Sequence, residues 1–187
     1  MDIDLILDNI YQLPEASKKL ITQSITEVSF KKGHILLNAD KVEKNIYFIK
    51  KGIARAFSHI DNNEVTIWFG KEGDTIISMN SYIANEKGYE DIELLENCDL
   101  YELRASDLQQ LFNKDIHIAN FGRRFAEKEL VKTEERLISR QIRTASESYN
   151  ELLKGSPDIV QRVQLGYIAS YLGITQVSLS RIRAEIK

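Results

Sequence analysis

The chain has 187 residues, enough for one large domain or two small ones. Hydrophobic residues make up 43% of it, which excludes wholesale disorder. The single cysteine, Cys98, excludes an internal disulfide and a cysteine-ligated zinc or iron–sulfur site, and the net charge of −3 hides an uneven split: residues 1–115 carry 13 Lys and Arg against 20 Asp and Glu, residues 116–187 carry 12 against 8. An acidic front and a basic back point to two modules with different partners, ordinary solvated surface being the plainer alternative. No stretch approaches the roughly 20 apolar residues of a membrane span, so no membrane partner is expected. "MDIDLILDNI" begins acidic, without a basic leader, and a cytoplasmic location is expected.

Residues 2–24 read as short helices, with Leu5, Ile6, Ile10, Leu20 and Ile21 at helical spacing and Pro14 suited to a first helical turn. From about residue 26 to 104 the apolar runs shorten to "HILL", "NIYFI", "IARAF", "VTIWF", "DTIIS", "DIELL" and "DLYEL". Turn residues divide them, among them Gly33, Gly52, the Asp61–Asn63 cluster and Gly73. Many short strands at regular spacing predict a β-sandwich or barrel, with a hairpin in "SHIDNNEVTIWF".

After Arg104 the texture turns helical. Ser106 is the expected N-cap of "ASDLQQLF". Residues 115–138 lack proline and predict one helix of about 24 residues, roughly 36 Å at 1.5 Å per residue. That length suits a connector or a two-stranded coiled seam, with Ile118, Phe121 and Phe125 on its apolar stripe; packing against the chain's own sandwich is the other possibility. Residues 139–153 predict a further amphipathic helix, ended by "KGSPD" at 154–158, and "IVQRVQL" reads as short and β-rich.

The closing stretch, "GYIASYLGITQVSLSRIRAEIK", predicts two helices joined by a tight turn. Ile168 and Leu172 share one face of the first. Ala169 is small where the two would cross, Gly173 sits where a left-handed backbone is needed, and Ile174 anchors the turn. Thr175 is the expected cap of the second helix, and Leu179 and Ile182 point back into the small core. The remaining face offers Gln176, Val177, Ser178, Ser180, Arg181 and Arg183, residue types that suit base edges in a major groove. Thr175 and Ser178 are placed to hold phosphates, and Val177 to meet a thymine methyl.

The order of sandwich, long helix and terminal helix-turn-helix resembles the cyclic-AMP receptor protein (Crp/Fnr) family of bacterial transcription regulators. "KKGHILLNADKVEKNIYFIKKGIARAF" is similar to the family's opening strands, "GDTIISM" at 73–79 to its approach to the nucleotide pocket, and "VQLGYIASYLGITQVSLSRIR" to its DNA-reading element. The resemblance implies an α+β chain: an N-terminal double-stranded β-helix (jelly-roll, cyclic-nucleotide-binding-like) sensor over residues 1–114, a dimerisation helix over 115–138, and a helix-turn-helix domain over 139–187. It implies a homodimer on a palindromic double-stranded promoter site, with RNA polymerase as a further partner. Arg181 falls at the family's guanine-reading arginine, and Gln176 and Val177 at its other base-reading positions. The chain ends soon after them, so a complete final β-wing is not expected.

The sensor pocket departs from the family pattern. Members that bind cyclic nucleotides carry a glutamate for the ribose and an arginine for the phosphate. Here the first run aligns as Ile77-Ser78-Met79, and Glu90 and Asp91 stand near the arginine position; no arginine lies between Arg55 and Arg104. Like charges there would repel a phosphate by a few kcal/mol at an effective dielectric near 20. The expectation is a regulator not controlled by cyclic AMP, of unknown effector; a cyclic-nucleotide-responsive protein with an atypical pocket is the alternative. His34, His59 and His117 are scattered, and no His-x-His pair, serine elbow or phosphate loop occurs, so no cofactor, metal or catalytic activity is expected.

Overall fold

The computed structural model describes residues 1–61 and 63–186. Two short helices open the chain, α1 (Ile3–Ile10) and α2 (Glu15–Gln23). Asp2 caps α1, accepting from the Asp4 N–H; Pro14 precedes α2 as its N-cap rather than entering its first turn. Among the described residues eight strands follow: β1 (Ile25–Phe30), β2 (Ile35–Leu37), β3 (Ile46–Lys51), β4 (Ala54–Ile60), β5 (Asn63–Gly70), β6 (Thr75–Ile76), β7 (Asp91–Leu94) and β8 (Cys98–Leu103), with helix α3 (Met79–Ala84) before β7. They form two four-stranded antiparallel sheets, ordered β1-β8-β3-β6 and β2-β7-β4-β5. Ile49, Ala54, Ala56, Ile76, Ile92 and Leu100 fill one core of the sandwich. The β3–β4 turn needs glycine: Gly52 has φ +113°, and a Cβ there would lie 2.3 Å from Cys98 Sγ. β4 and β5 form the expected hairpin, Ile60 facing Asn63; of its turn, Asp61 is left-handed, Asn63 already belongs to β5, and Asn62 lies outside the described residues.

The back half is helical: α4 (Ala105–Phe112), α5 (Ile116–Ile142), α6 (Ala145–Gly155), α7 (Pro157–Arg162), α8 (Leu165–Tyr171) and α9 (Gln176–Glu185). Ser106 does not cap α4, which starts one residue earlier; its hydroxyl bonds Asp107 instead. Asp115 caps α5, accepting from the N–H groups of His117 and Ile118. The helix runs 27 residues, past the expected end at Ile138 to Ile142. It stops because Thr144 and Glu147 close a capping box that starts α6. "IVQRVQL" is not a strand: Pro157 takes the first position of α7, and Ile159 and Val163, one turn apart, bury together.

The stripe assigned to a dimer seam belongs to the chain's own core. Ile118 and Phe121 are fully buried with Ile6, Leu7 and Leu108, and Phe125 packs on the same cluster. Gly122 lets the Phe112 ring of α4 lie against α5, where a Cβ would come within 2.4 Å. The apolar face of α5 that stays exposed comes later and points away from the sandwich: Leu130 (70%), Val131 (52%) and Ile142 (75%), joined by Ile138, whereas Leu137 lines a cavity against β5 and β6.

The closing helices dock on the outer face of the β2-β7-β4-β5 sheet. Ile53 and Leu95 join the helical core of Tyr149, Ile159, Val163, Ile168 and Leu179. Arg55 of β4 is only 1% exposed. Its Nη2 meets Glu64 Oε2 at 2.5 Å and Glu93 Oε2 at 3.0 Å, and its guanidinium lies 4.2 Å from the Phe57 ring and 3.8 Å from the Tyr167 ring of α8. Ser170 Oγ accepts from the Thr66 N–H at 2.9 Å and donates to the Glu64 carbonyl at 3.0 Å. Arg162 forks onto Glu72 and Glu96, while Lys71 meets Asp158 at 3.0 Å. Among the described residues no helix is long and apolar enough to cross a membrane, and no three His, Cys, Asp or Glu side chains gather as a metal site.

Two predictions follow from this docking. Arg55→Ala lowers unfolding free energy toward the low end of about 3–5 kcal/mol, because Glu93 loses its partner while Glu64 keeps contact with water; an unchanged guanidinium chloride midpoint refutes it. The Arg162 hydrogen bonds lower the Glu72 carboxyl from its ordinary 4.5 to about 2. The stability this contributes is complete above pH 4.5 and is lost as pH falls toward 2. Arg162→Gln therefore melts below wild type at pH 7, and the gap narrows between pH 4.5 and 2. A gap that stays constant over that window excludes the linkage.

Candidate nucleic-acid interface and ligand cavity

The turn between α8 and α9 is built by its backbone. Gly173 has φ +69° and donates to the Ser170 carbonyl at 3.1 Å; the Ile174 N–H donates to the Ala169 carbonyl at 3.0 Å. A side chain at Gly173 would be strained in that conformation. Ile168, Ala169 and Leu179 are buried, and Leu172, Ile174 and Ile182 pack around them. Thr175 caps α9 through the Ser178 N–H at 3.1 Å, and its hydroxyl lies 3.0 Å from Ser178 Oγ. Ser178 is thus turned toward its own cap and half-covered, whereas Thr175, Gln176, Val177, Ser180, Arg181 and Arg183 are exposed. Ser180 donates to the Gln176 carbonyl at 3.0 Å, leaving its oxygen free to accept. Arg181 and Arg183 meet no carboxylate among the described residues, so both guanidinium groups are available to an outside acceptor. Val177, 64% exposed, puts an apolar contact beside them.

A cavity of about 490 Å³ lies between β5, β6, the loop before β7 and α5. Ile77, Ser78, Met79 and Glu90 line it; Asp91 does not, because its Oδ1 accepts from the Ala39 N–H at 3.0 Å. Ser78 turns its hydroxyl onto Ser81 Oγ at 3.1 Å. Burial pushes the Glu90 carboxyl up, opposed by the charge of Arg136. Trp68 and Tyr89 supply flat apolar wall.

The cations of this cavity come from α5, not from the loop where the sequence reading sought them. Lys132, Arg136 and Arg140 face it at four-residue spacing. Lys132 is held by Glu129 at 2.9 Å and Asp74 at 3.5 Å, and Arg140 donates to the carbonyls of Thr66 and Ile67 at 3.1 Å each. Arg136 bonds only Thr133 Oγ1, at 3.0 Å, among the described residues. That spacing, which puts three cations on one helical face, was the signal available in the sequence. The cavity is therefore acidic on the sandwich side, through Asp74 and Glu90, and basic on the helix side.

Residues 27–115 match the family model of the cyclic nucleotide-binding domain. No curated protein matches the chain. Among solved structures, a protein of Eubacterium rectale assigned to the crp/fnr family of transcriptional regulators aligns with 18% identity and TM-score 0.71, over 95% of this chain and 87% of its own. FixK2 of Bradyrhizobium japonicum aligns with 18% identity and TM-score 0.70, over 87% of this chain and 84% of its own. The c-di-GMP responsive global regulator CLP of Xanthomonas campestris aligns with 13% identity and TM-score 0.68, over 92% and 91%. Residues 27–115 thus match the cyclic nucleotide-binding domain, and over most of its length the chain shares the fold of these regulators.

Proposed function

We propose that this protein is a homodimeric, sequence-specific DNA-binding transcription regulator of the Crp/Fnr type, working in the cytoplasm without control by cyclic AMP. The observation that carries the reading is the α8–α9 pair. Its left-handed Gly173, capped Thr175 and buried Ile168, Ala169 and Leu179 hold a second helix rigidly, with Gln176, Val177, Ser180 and Arg181 turned outward. Arg181 fits a bidentate contact to guanine, Gln176 fits adenine, Val177 meets a thymine methyl, and Thr175 and Arg183 hold phosphates. In this reading residues 1–114 sense, α5 pairs two copies, and residues 145–186 read DNA. Catalysis forms no part of it.

The acidic Glu90 and Asp74 on the sandwich side argue against a cyclic phosphate bound there, since opposed like charges are costly in a half-buried site. The α5 cations keep one alternative in view: a cyclic nucleotide held with its phosphate toward Arg136. Calorimetric binding of cyclic AMP at micromolar or better affinity would select that alternative.

Selection from a random DNA pool is expected to return a palindrome with half-sites about 34 Å apart, one helical turn, and cyclic AMP is expected to leave its affinity unchanged. Arg181→Ala should lose about 1–3 kcal/mol at the selected site and relax one base position. An unchanged sequence preference removes Arg181 from the reading set.

The dimer seam in this reading is the exposed face of α5 through Leu130, Val131, Ile138 and Ile142. Leu130→Glu should convert a dimer to a monomer in size-exclusion chromatography with light scattering. Its effect on the fold of one chain should stay within about 0.5 kcal/mol, because the side chain is exposed there. A variant that remains dimeric places the seam elsewhere.

A further inference from the structure

A second cavity, of about 580 Å³, lies beyond the first, between the C-terminal end of α5, α6 and the turn after α8. Arg136, Arg140 and Arg143 line it, at helical spacing of four and then three residues. Among the described residues one carboxylate lines the cavity, Glu151, and it is bound by Arg143. Arg140 donates to two neutral carbonyls, which leave its charge unbalanced, and Arg136 bonds only a hydroxyl among the described residues. Ser139 and Ser148 add hydroxyl groups to the wall. The volume is that of a metabolite pocket.

We propose that this cavity is a binding site for a small multiply charged anion of the phosphate-ester or pyrophosphate class. Guanidinium groups donate hydrogen bonds to phosphate oxygens, and two arginines without carboxylate partners line the recess: Arg136 keeps most of its fork, while Arg140, whose Nη2 is held by the Thr66 and Ile67 carbonyls, adds its charge and its remaining donors. A single carboxylate ligand would leave one of these arginines unmatched, whereas a pyrophosphate has oxygens for both. A DNA strand meets a protein through phosphates strung along a surface. Here the arginines converge in one recess walled by α6 and α8, which suits one compact anion. The site shares Arg136 and Arg140 with the sandwich cavity and is distinguished from it by Arg143, Ser148 and Gly173, where the sandwich cavity has Ile77, Met79 and Glu90; it joins the long helix to the DNA-reading unit.

The test is calorimetric titration of the full chain with sodium pyrophosphate at fixed ionic strength, with sodium sulfate as the matched control. Saturable binding is expected for pyrophosphate, at least tenfold tighter than for sulfate. Arg136→Gln should weaken it at least tenfold, with partial rescue by Arg136→Lys. Ser148→Asp, which puts a negative charge in this cavity alone, should abolish it. Glu90→Gln, in the sandwich cavity alone, should leave it unchanged. Absence of saturable heat, equal binding of sulfate, or loss of binding in Glu90→Gln with retention in Ser148→Asp overturns the site. None of these outcomes depends on DNA binding, so failure here leaves the regulator reading standing, and failure of the DNA selection leaves this site standing.

Discussion

A guanidinium closed off from water joins the two halves of this molecule. Moving such an ion out of water costs several kcal/mol even after the surroundings relax. Arg55 offsets that cost only in the docked arrangement, where Glu64 and Glu93 accept from one nitrogen and the rings of Phe57 and Tyr167 cover its two faces. The carboxylates and Phe57 come from the sandwich, and Tyr167 comes from α8. The charge is thus fully enclosed only while the closing helices sit on the sheet. Among the described residues Nε and Nη1 find no acceptor, and the buried Thr66 Oγ1 nearby on β5 finds no hydrogen-bond partner. An enclosure with unsatisfied donors is held less tightly than a purely apolar one of the same area. The contact between sandwich and closing helices is therefore specific in geometry yet not maximal in strength.

The long helix connects everything else, and it does so by giving each length and face a different task. Its first turns are core, with Ile118 and Phe121 buried beneath α1 and α4. Farther along, Lys132, Arg136, Arg140 and Arg143 look toward the chain's own cavities. At 3.6 residues per turn, Leu130, Val131, Ile138 and Ile142 fall on the opposite side, toward solvent. A ligand gripping the basic face and a second copy covering the apolar face would act on one rigid element. Arg140, bonded to the backbone of β5, ties that element to the same strand whose Thr66 meets Ser170 of α8.

Local signals in the sequence marked the parts that local physics decides. The α8–α9 turn was legible because glycine, a small residue and a capping threonine each answer a constraint within a few residues. Strands β2 to β8 were legible as short apolar runs between turns, while β1 was not, since three of its six residues are exposed and they interrupt the apolar run. The end of α5 was missed although Thr144 and Glu147 carry the capping-box spacing; the periodicity on either side drew attention from it. Ile118 and Phe121 looked like seam residues because a helical stripe does not say which surface covers it. Only the presence of α1, α2 and α4 against that stripe decides the matter. Arg55 was invisible for a deeper reason: an isolated arginine on a strand carries no mark of burial, and its partners come from positions 64, 93 and 167.

The same distinction governs the sensor cavity. Its aligned loop is acidic, which read alone removes the cation a phosphate needs. The fold returns three cations to the cavity from α5, more than 40 residues later in the chain, and sets them against the carboxylates of Asp74, Glu90 and Glu129. A ligand fitting this arrangement presents donors to Glu90 and acceptors to Arg136. Attraction between such a ligand and the cavity pulls directly on α5, whereas a phosphate held by the loop would act on the helix only through the sandwich. Placing the positive charge on α5 leaves one helix between such a ligand and the closing helices.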